Sequence, residues 1–132
     1  MCVTQRLLEA VSSHHGRLLI YVWAIEQDNL SRRKIPINEG SSSLSTGQDV
    51  LVPWVRSSSD IDERVTQKIY DRYYHMFAKG ELRHLVQSAA EKLGLELGSE
   101  PTGKPGKLGV AIGQEGWERS NYYVEVRRWC SL

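Results

Sequence analysis

Arg72, Tyr73, Tyr74 and His75 place a guanidinium, two phenols and an imidazole side by side within the stretch DRYYHMFAKGEL, residues 71–82. An aromatic stripe of this kind reads first as a strand packed against the helix that follows it, because such stripes are more often core than site. Arg72 and His75 add two polar donors where a pure core segment needs none, so the run also reads as a binding wall. If it is extended, alternation sends Arg72 and Tyr74 to one face and Tyr73 and His75 to the other. One of these pairs can then face a ligand while the other faces the protein.

Further groups with binding chemistry lie elsewhere in the chain. Trp23 stands late in the apolar run LLIYVWAI, followed by Glu26 and Gln27. It reads as part core and part rim, since ligands in open α/β sheets gather beyond the carboxyl ends of strands. Arg32, Arg33 and Lys34 form a basic triplet, readable as a solvated charge run or as a phosphate contact. Asn121 could cap a turn or reach a site. Lys79, Gly80 and Glu81 open a helix with no Ser, Thr, Asp or Asn at the capping position. Its free N–H groups could meet a phosphate, or Glu81 could answer the helix dipole. Pro53 and Trp54 read as a docking island more readily than as a direct substrate contact. His14 and His15 read as helix-end residues, without the ligand spacing of a metal site. No residue declares itself catalytic.

These groups need a scaffold, and 132 residues fit a single domain with a modest core. The chain is 40% hydrophobic and 25% charged, an ordinary globular balance, and its net charge of +1 names no polyanionic partner by itself. Four Trp and six Tyr against one Phe lean toward half-wet binding faces, because both rings carry a polar handle. Cys2 and Cys130 give neither a disulfide framework nor zinc spacing, which points to a reducing setting, cytosolic or nuclear. The longest apolar run is too short to span a bilayer, and no membrane partner is expected.

The pattern predicts an α/β fold. Val3, Leu7, Leu8 and Val11 share a helical face, with Gly16 as the closing glycine. Residues 18–25 read as a strand buried on both faces, central in a sheet. Residues 28–66 read as a long polar insertion carrying a docked island, QDVLVPW. Residues 67–132 supply an aromatic strand, an amphipathic helix through Leu82, Leu85, Val86, Ala89, Ala90 and Leu93 closed by Gly94, and a C-terminal antiparallel hairpin. The whole, residues 1–132, is expected to be one partial domain, with residues 1–27 giving its first helix and central strand.

Four stretches taken together, LIYVWAIEQ (19–27), QDVLVPW (48–54), RYYHMFAKGEL (72–82) and NYYVEV (121–126), resemble the eukaryotic tRNA wobble-uridine carboxymethyl methyltransferases. The resemblance implies the C-terminal half of a class I, Rossmann-like methyltransferase sheet, with S-adenosylmethionine as donor and the tRNA anticodon loop as substrate. The methyl group would pass to a carboxymethyl oxygen. An ionised carboxylate is already nucleophilic, so positioning and desolvation are the main demands. Cationic and donor groups would orient the carboxylate and aromatic faces would stack unpaired bases. On this reading Trp23, Arg32, Arg33, Arg72, Tyr73, Tyr74, His75 and Asn121 are the substrate-facing set.

The glycine-rich donor turn and the acidic residue of that fold have no counterpart in this sequence. GKPGKLG and GQEG lie outside any strand–turn–helix unit. The chain is therefore expected not to bind the donor alone, to be inactive alone, and to need an N-terminal half as partner. The zinc-binding activator protein of the family is expected to contact mainly that other half. The alternative is a non-catalytic RNA-binding or regulatory module derived from the enzyme.

Overall fold

The computed structural model describes residues 2–33, 46–55 and 68–132. Lys34 and most of the polar insertion lie outside them. Two helices and six strands run in the order α1 (Val3–Ala10), β1 (Arg17–Trp23), β2 (Gln48–Val55), β3 (Ile69–Met76), α2 (Glu81–Lys92), β4 (Glu96–Leu97), β5 (Leu108–Glu118) and β6 (Asn121–Cys130).

Helix α2 follows its sequence pattern closely. Leu82, Val86, Ala89 and Ala90 form the buried stripe. Gly94, at φ +68, donates its N–H to the Glu91 carbonyl, and Leu95 donates to that of Ala90 at 2.9 Å. This paired closure needs a left-handed residue, which is why glycine stands there.

Helix α1 stops earlier than the apolar spacing suggests. Val11 is already extended, and Gly16 does not close the helix. Gly16 lacks a positive φ, and glycine is required for a different reason: a Cβ would lie 2.4 Å from the Ser12 carbonyl oxygen. The end of α1 is closed from a distance instead, by buried Arg128, whose guanidinium donates to the Leu8 carbonyl at 2.8 Å.

Strands β1, β6, β5 and β4 form one mixed sheet in that spatial order, antiparallel except for the β4–β5 pair. Leu8 of α1, Leu82, Val86, Ala89 and Ala90 of α2, and Val110, Val124 and Val126 of the sheet form the core. Both helices thus cover the same sheet face.

The expectation of a central β1 buried on both faces is corrected here. Among the described residues the centre belongs to β6, and β1 lies at the edge with burial that alternates. Leu18, Ile20 and Val22 pack on the core, whereas Leu19 and Tyr21 are 62% and 49% exposed. The uncovered face is held by surface contacts: Arg17 pairs with Glu125, Tyr21 stacks on Tyr123, and the Tyr21 hydroxyl donates to Glu118. An all-apolar run hides this alternation from the sequence pattern.

The island QDVLVPW is part of a full strand. β2 pairs with β3 along its whole length, Gln48 opposite Met76 through Val55 opposite Ile69, as a two-stranded antiparallel ribbon. Val50 and Met76 bury its base. Pro53, which has no N–H to donate, is tolerated because the ribbon has open edges. The ribbon is joined to the end of β1 by an isolated parallel bridge between Ala24 and Phe77. There the Phe77 N–H donates to the Trp23 carbonyl and the Ile25 N–H to that of Phe77, each at 2.8 Å.

Candidate functional site

The join between the ribbon and the sheet gathers much of the chemistry singled out in the sequence. Trp23, the last residue of β1, stacks on Tyr74 of β3 with ring centroids 4.0 Å apart and planes within 4°. The Arg33 guanidinium carbon lies 4.4 Å from the centroid of the same indole. Arg33 also donates to the Ser120 carbonyl and to Asn121 Oδ1, both at 2.8 Å. Burial lowers its pKa, with Asp28 opposing. Asn121 both caps a turn and holds a cation, since its Nδ2 donates to the Arg119 carbonyl while its Oδ1 receives Arg33. A three-element node thus joins Trp23, Arg33, Tyr74 and Asn121.

The other face of β3 is organised by carboxylates. His75 Nδ1 lies 2.6 Å from Asp49 Oδ1, and its Nε2 lies 2.6 Å from Glu81 Oε1. Two carboxylate acceptors require both ring nitrogens to donate, which is the imidazolium form. Burial pushes the His75 pKa down, but the bonds to Asp49 and Glu81 outweigh it and the net direction is up. Asp49 is held below the ordinary carboxylate range by His75 first and by the Tyr73 hydroxyl second. Tyr73 is raised in turn by its bond to Asp49. Glu81 uses its second oxygen to accept the Ala78 N–H at 2.9 Å. It therefore serves the helix start and the ribbon together. Gly47 completes the clamp, because a Cβ there would sit 2.3 Å from Glu81 Oε2.

The alternation expected for the run is what β3 displays. Arg72 lies on the Tyr74 side of the register, its guanidinium 4.0 Å from the Trp54 ring centroid across the ribbon, while Tyr73 and His75 turn to Asp49. Arg32 stands exposed beside the node, on the rim of a cleft of about 450 Å³ lined also by Asp28, Leu30, Ser31, Arg33 and Arg119. Sequence reasoning passed over Asp49, Ser120 and Arg119. Asp49 sat within a motif already singled out, and only the β2–β3 register reveals that it faces His75.

A second cavity, of about 430 Å³, opens between the start of α2 and the far end of the β5–β6 hairpin. Glu26 is its hub: its backbone carbonyl accepts the Trp117 indole N–H, and its carboxylate accepts the Tyr122 hydroxyl. Burial, then the charge of Glu26, raises the Tyr122 pKa. Arg83 and Glu115 close the rim with a 2.6 Å ion pair.

Among the described residues, no three His, Cys, Asp or Glu side chains gather as metal ligands, and no helix is long and apolar enough to cross a membrane. The glycines of GKPGKLG and GQEG are placed away from any ligand-cradling turn. Gly103 and Gly106 lie in the connector before β5, where the Gly106 N–H is already bonded to Ser131, and Gly113 and Gly116 lie inside β5. None lies between a strand end and a helix start, where a glycine turn would cradle a ligand. Among the described residues, Gly80 alone stands between a strand and a helix start; a Cβ there would meet open space, on the wall of the cavity of about 430 Å³.

No protein-family model matches the chain. The chain is similar to the tRNA (carboxymethyluridine(34)-5-O)-methyltransferase of Schizosaccharomyces pombe, at 32% identity over 123 residues. The match covers 83% of this chain but 41% of that protein, so the chain spans well under half the length of this relative.

Proposed function

Because the chain belongs, over the length it spans, to the family of the tRNA (carboxymethyluridine(34)-5-O)-methyltransferases, we propose that it is the tRNA-facing part of such an enzyme. The whole would methylate the carboxymethyl group of the wobble uridine. S-adenosylmethionine, held outside these residues, supplies the methyl group, and the chain alone is inactive. The kinship carries this reading. The gathering of Trp23, Arg33, Tyr74 and Asn121 at the sheet–ribbon join supports it, because a cation fixed among aromatic rings suits the phosphates of an unpaired strand.

In this reading Arg72, Tyr74 and Trp23 form the wall that receives the anticodon loop, with Arg32 and Arg33 at its cationic edge. Tyr73 and His75 act one step back, fixing the ribbon through Asp49 and Glu81. The partner is an N-terminal donor-binding half, and the setting is cytosolic or nuclear.

The test supplies tRNA bearing 5-carboxymethyluridine at the wobble position and isotope-labelled methyl donor. The chain is assayed alone and mixed with the remaining part of the S. pombe relative. Base-labile methyl ester is expected in the mixture and not with the chain alone. Ester formation by the chain alone, or tight stoichiometric donor binding to it in a calorimeter, would refute the division of labour. Failure of the chain to bind tRNA would refute the reading itself.

A further inference from the structure

The turn joining β5 to β6 carries the wrong residues for its geometry. A two-residue hairpin turn with positive φ at both central positions favours Asn-Gly or Gly-Gly. Here Arg119 stands at φ +47 and Ser120 at φ +63. Each left-handed non-glycine residue carries backbone strain. For Ser120 the structure shows the compensation. Its side chain accepts the Asp28 N–H at 2.7 Å, its carbonyl accepts from Ala24, Gln27 and Arg33, and the residue is 1% exposed. For Arg119 it shows only the Asn121 amide on its backbone carbonyl, at 3.0 Å, a bond that glycine would accept equally. The residue is exposed, and its guanidinium bonds to no other described residue. Packing gives no reason for an arginine where glycine would be relaxed.

The residue instead lines the cleft of about 450 Å³, with Arg32 and Arg33. Three arginines and a single acidic residue, Asp28, line it, and the Asp28 carboxylate is already engaged with the Leu30 N–H. Arg33 is fixed by Ser120 and Asn121, whereas Arg32 and Arg119 make no hydrogen bond or ion pair with the described residues. The fixed cation is also the one lying over Trp23, so the cationic cleft continues into the Trp23–Tyr74 stack.

We infer that this cleft is a phosphodiester site for single-stranded RNA, in which Arg119 and Arg32 neutralise the backbone and Arg33 forms the rigid wall leading to the aromatic stack. A free phosphate offers the same anion, but a basic groove running into aromatic faces is the arrangement that tracks a strand of nucleotides. The inference rests on the tRNA reading above and adds Arg119 to it, with a structural reason for that residue.

The test measures binding of a labelled anticodon stem–loop RNA to the whole chain by fluorescence anisotropy across a salt series. Arg119→Gly is the variant of choice, because it relieves the positive φ and therefore keeps the fold. It is expected to melt at or above the wild-type temperature and to bind RNA several-fold more weakly. Its log–log salt slope should be shallower by about 0.7, the change for one single-strand phosphate contact. Arg119→Lys should keep the wild-type slope. Unchanged affinity and slope in Arg119→Gly would overturn the inference. So would inorganic phosphate that displaces the RNA at concentrations as low as the RNA itself, since the cleft would then serve the free ion. Methyl transfer in the reconstituted mixture separates the two readings. Normal transfer by Arg119→Gly overturns the cleft alone, whereas RNA binding that follows this pattern without any transfer supports the cleft and counts against the methyltransferase reading.

Discussion

Replacing Trp23 by alanine tests whether the ribbon is oriented by its aromatic contact with the sheet. The ring stack with Tyr74, at 4.0 Å and 4°, is worth about 0.5–1.5 kcal/mol beyond area burial. The Arg33 guanidinium over the indole adds about 0.5–1 kcal/mol. Trp23 is half-buried, so the loss of packing falls short of the ~3–5 kcal/mol of a fully buried tryptophan. A total of about 2–3 kcal/mol is expected for Trp23→Ala. The decisive number is its coupling to Tyr74→Ala in a double-mutant cycle, expected near 1 kcal/mol. Urea unfolding of the four proteins gives it directly, provided the m-values agree. Trp23→Phe should restore part of the coupling, because a smaller ring still stacks. A coupling within about 0.3–0.5 kcal/mol of zero, the range of independent sites, would show that the stack does not hold the ribbon.

Gly109→Ala should destabilise sharply, since its Cβ would lie 2.0 Å from the Trp129 ring, whose indole N–H is bonded to the Gly98 carbonyl. Displacing that indole strains the core and orphans the carbonyl, for about 2–4 kcal/mol by urea midpoint. Arg128→Ala should cost about 2–3 kcal/mol, because the Leu8 carbonyl loses its charged donor, and the same measurement checks it. The His75 clamp makes stability depend on pH with a definite sign. Its folded pKa is raised, so its contribution is complete below the unfolded value of about 6.5 and is lost as pH rises through the folded one. Melting temperature should therefore fall over that window in the wild type and be flatter in His75→Gln; parallel profiles would show that the clamp does not titrate.

Local pattern made part of this molecule legible. The stripe of Leu82, Val86, Ala89 and Ala90 and the closing Gly94 could be read directly, because a helix is set by residues three and four apart. The alternation of Arg72 and Tyr74 against Tyr73 and His75 was equally readable, since it needs only an extended chain. What those faces meet was not. Asp49 reaches His75 through a register between β3 and a strand lying inside the polar insertion, and Arg33 meets Asn121 across 88 positions of sequence. The apolar run of β1 announced a strand but not its place, because Leu19 and Tyr21 are as apolar as the neighbours that are buried. Whether such a residue is covered depends on which strand takes the centre of the sheet.

That central place has a consequence for how the chain becomes a protein. β6 is the last strand in the sequence, yet β1 and β5 both pair with it, and β1 has no other sheet neighbour among the described residues. Among the described residues β1 finds its partner only once β6 has been made, and α2 packs on a sheet whose β6 strand comes late. Folding should therefore be late and concerted, dominated by contacts far apart in sequence and slow for a chain of this length. A stop codon placed only a few residues before β6 would remove the strand that β1 and β5 both pair with, and leave these residues without their sheet.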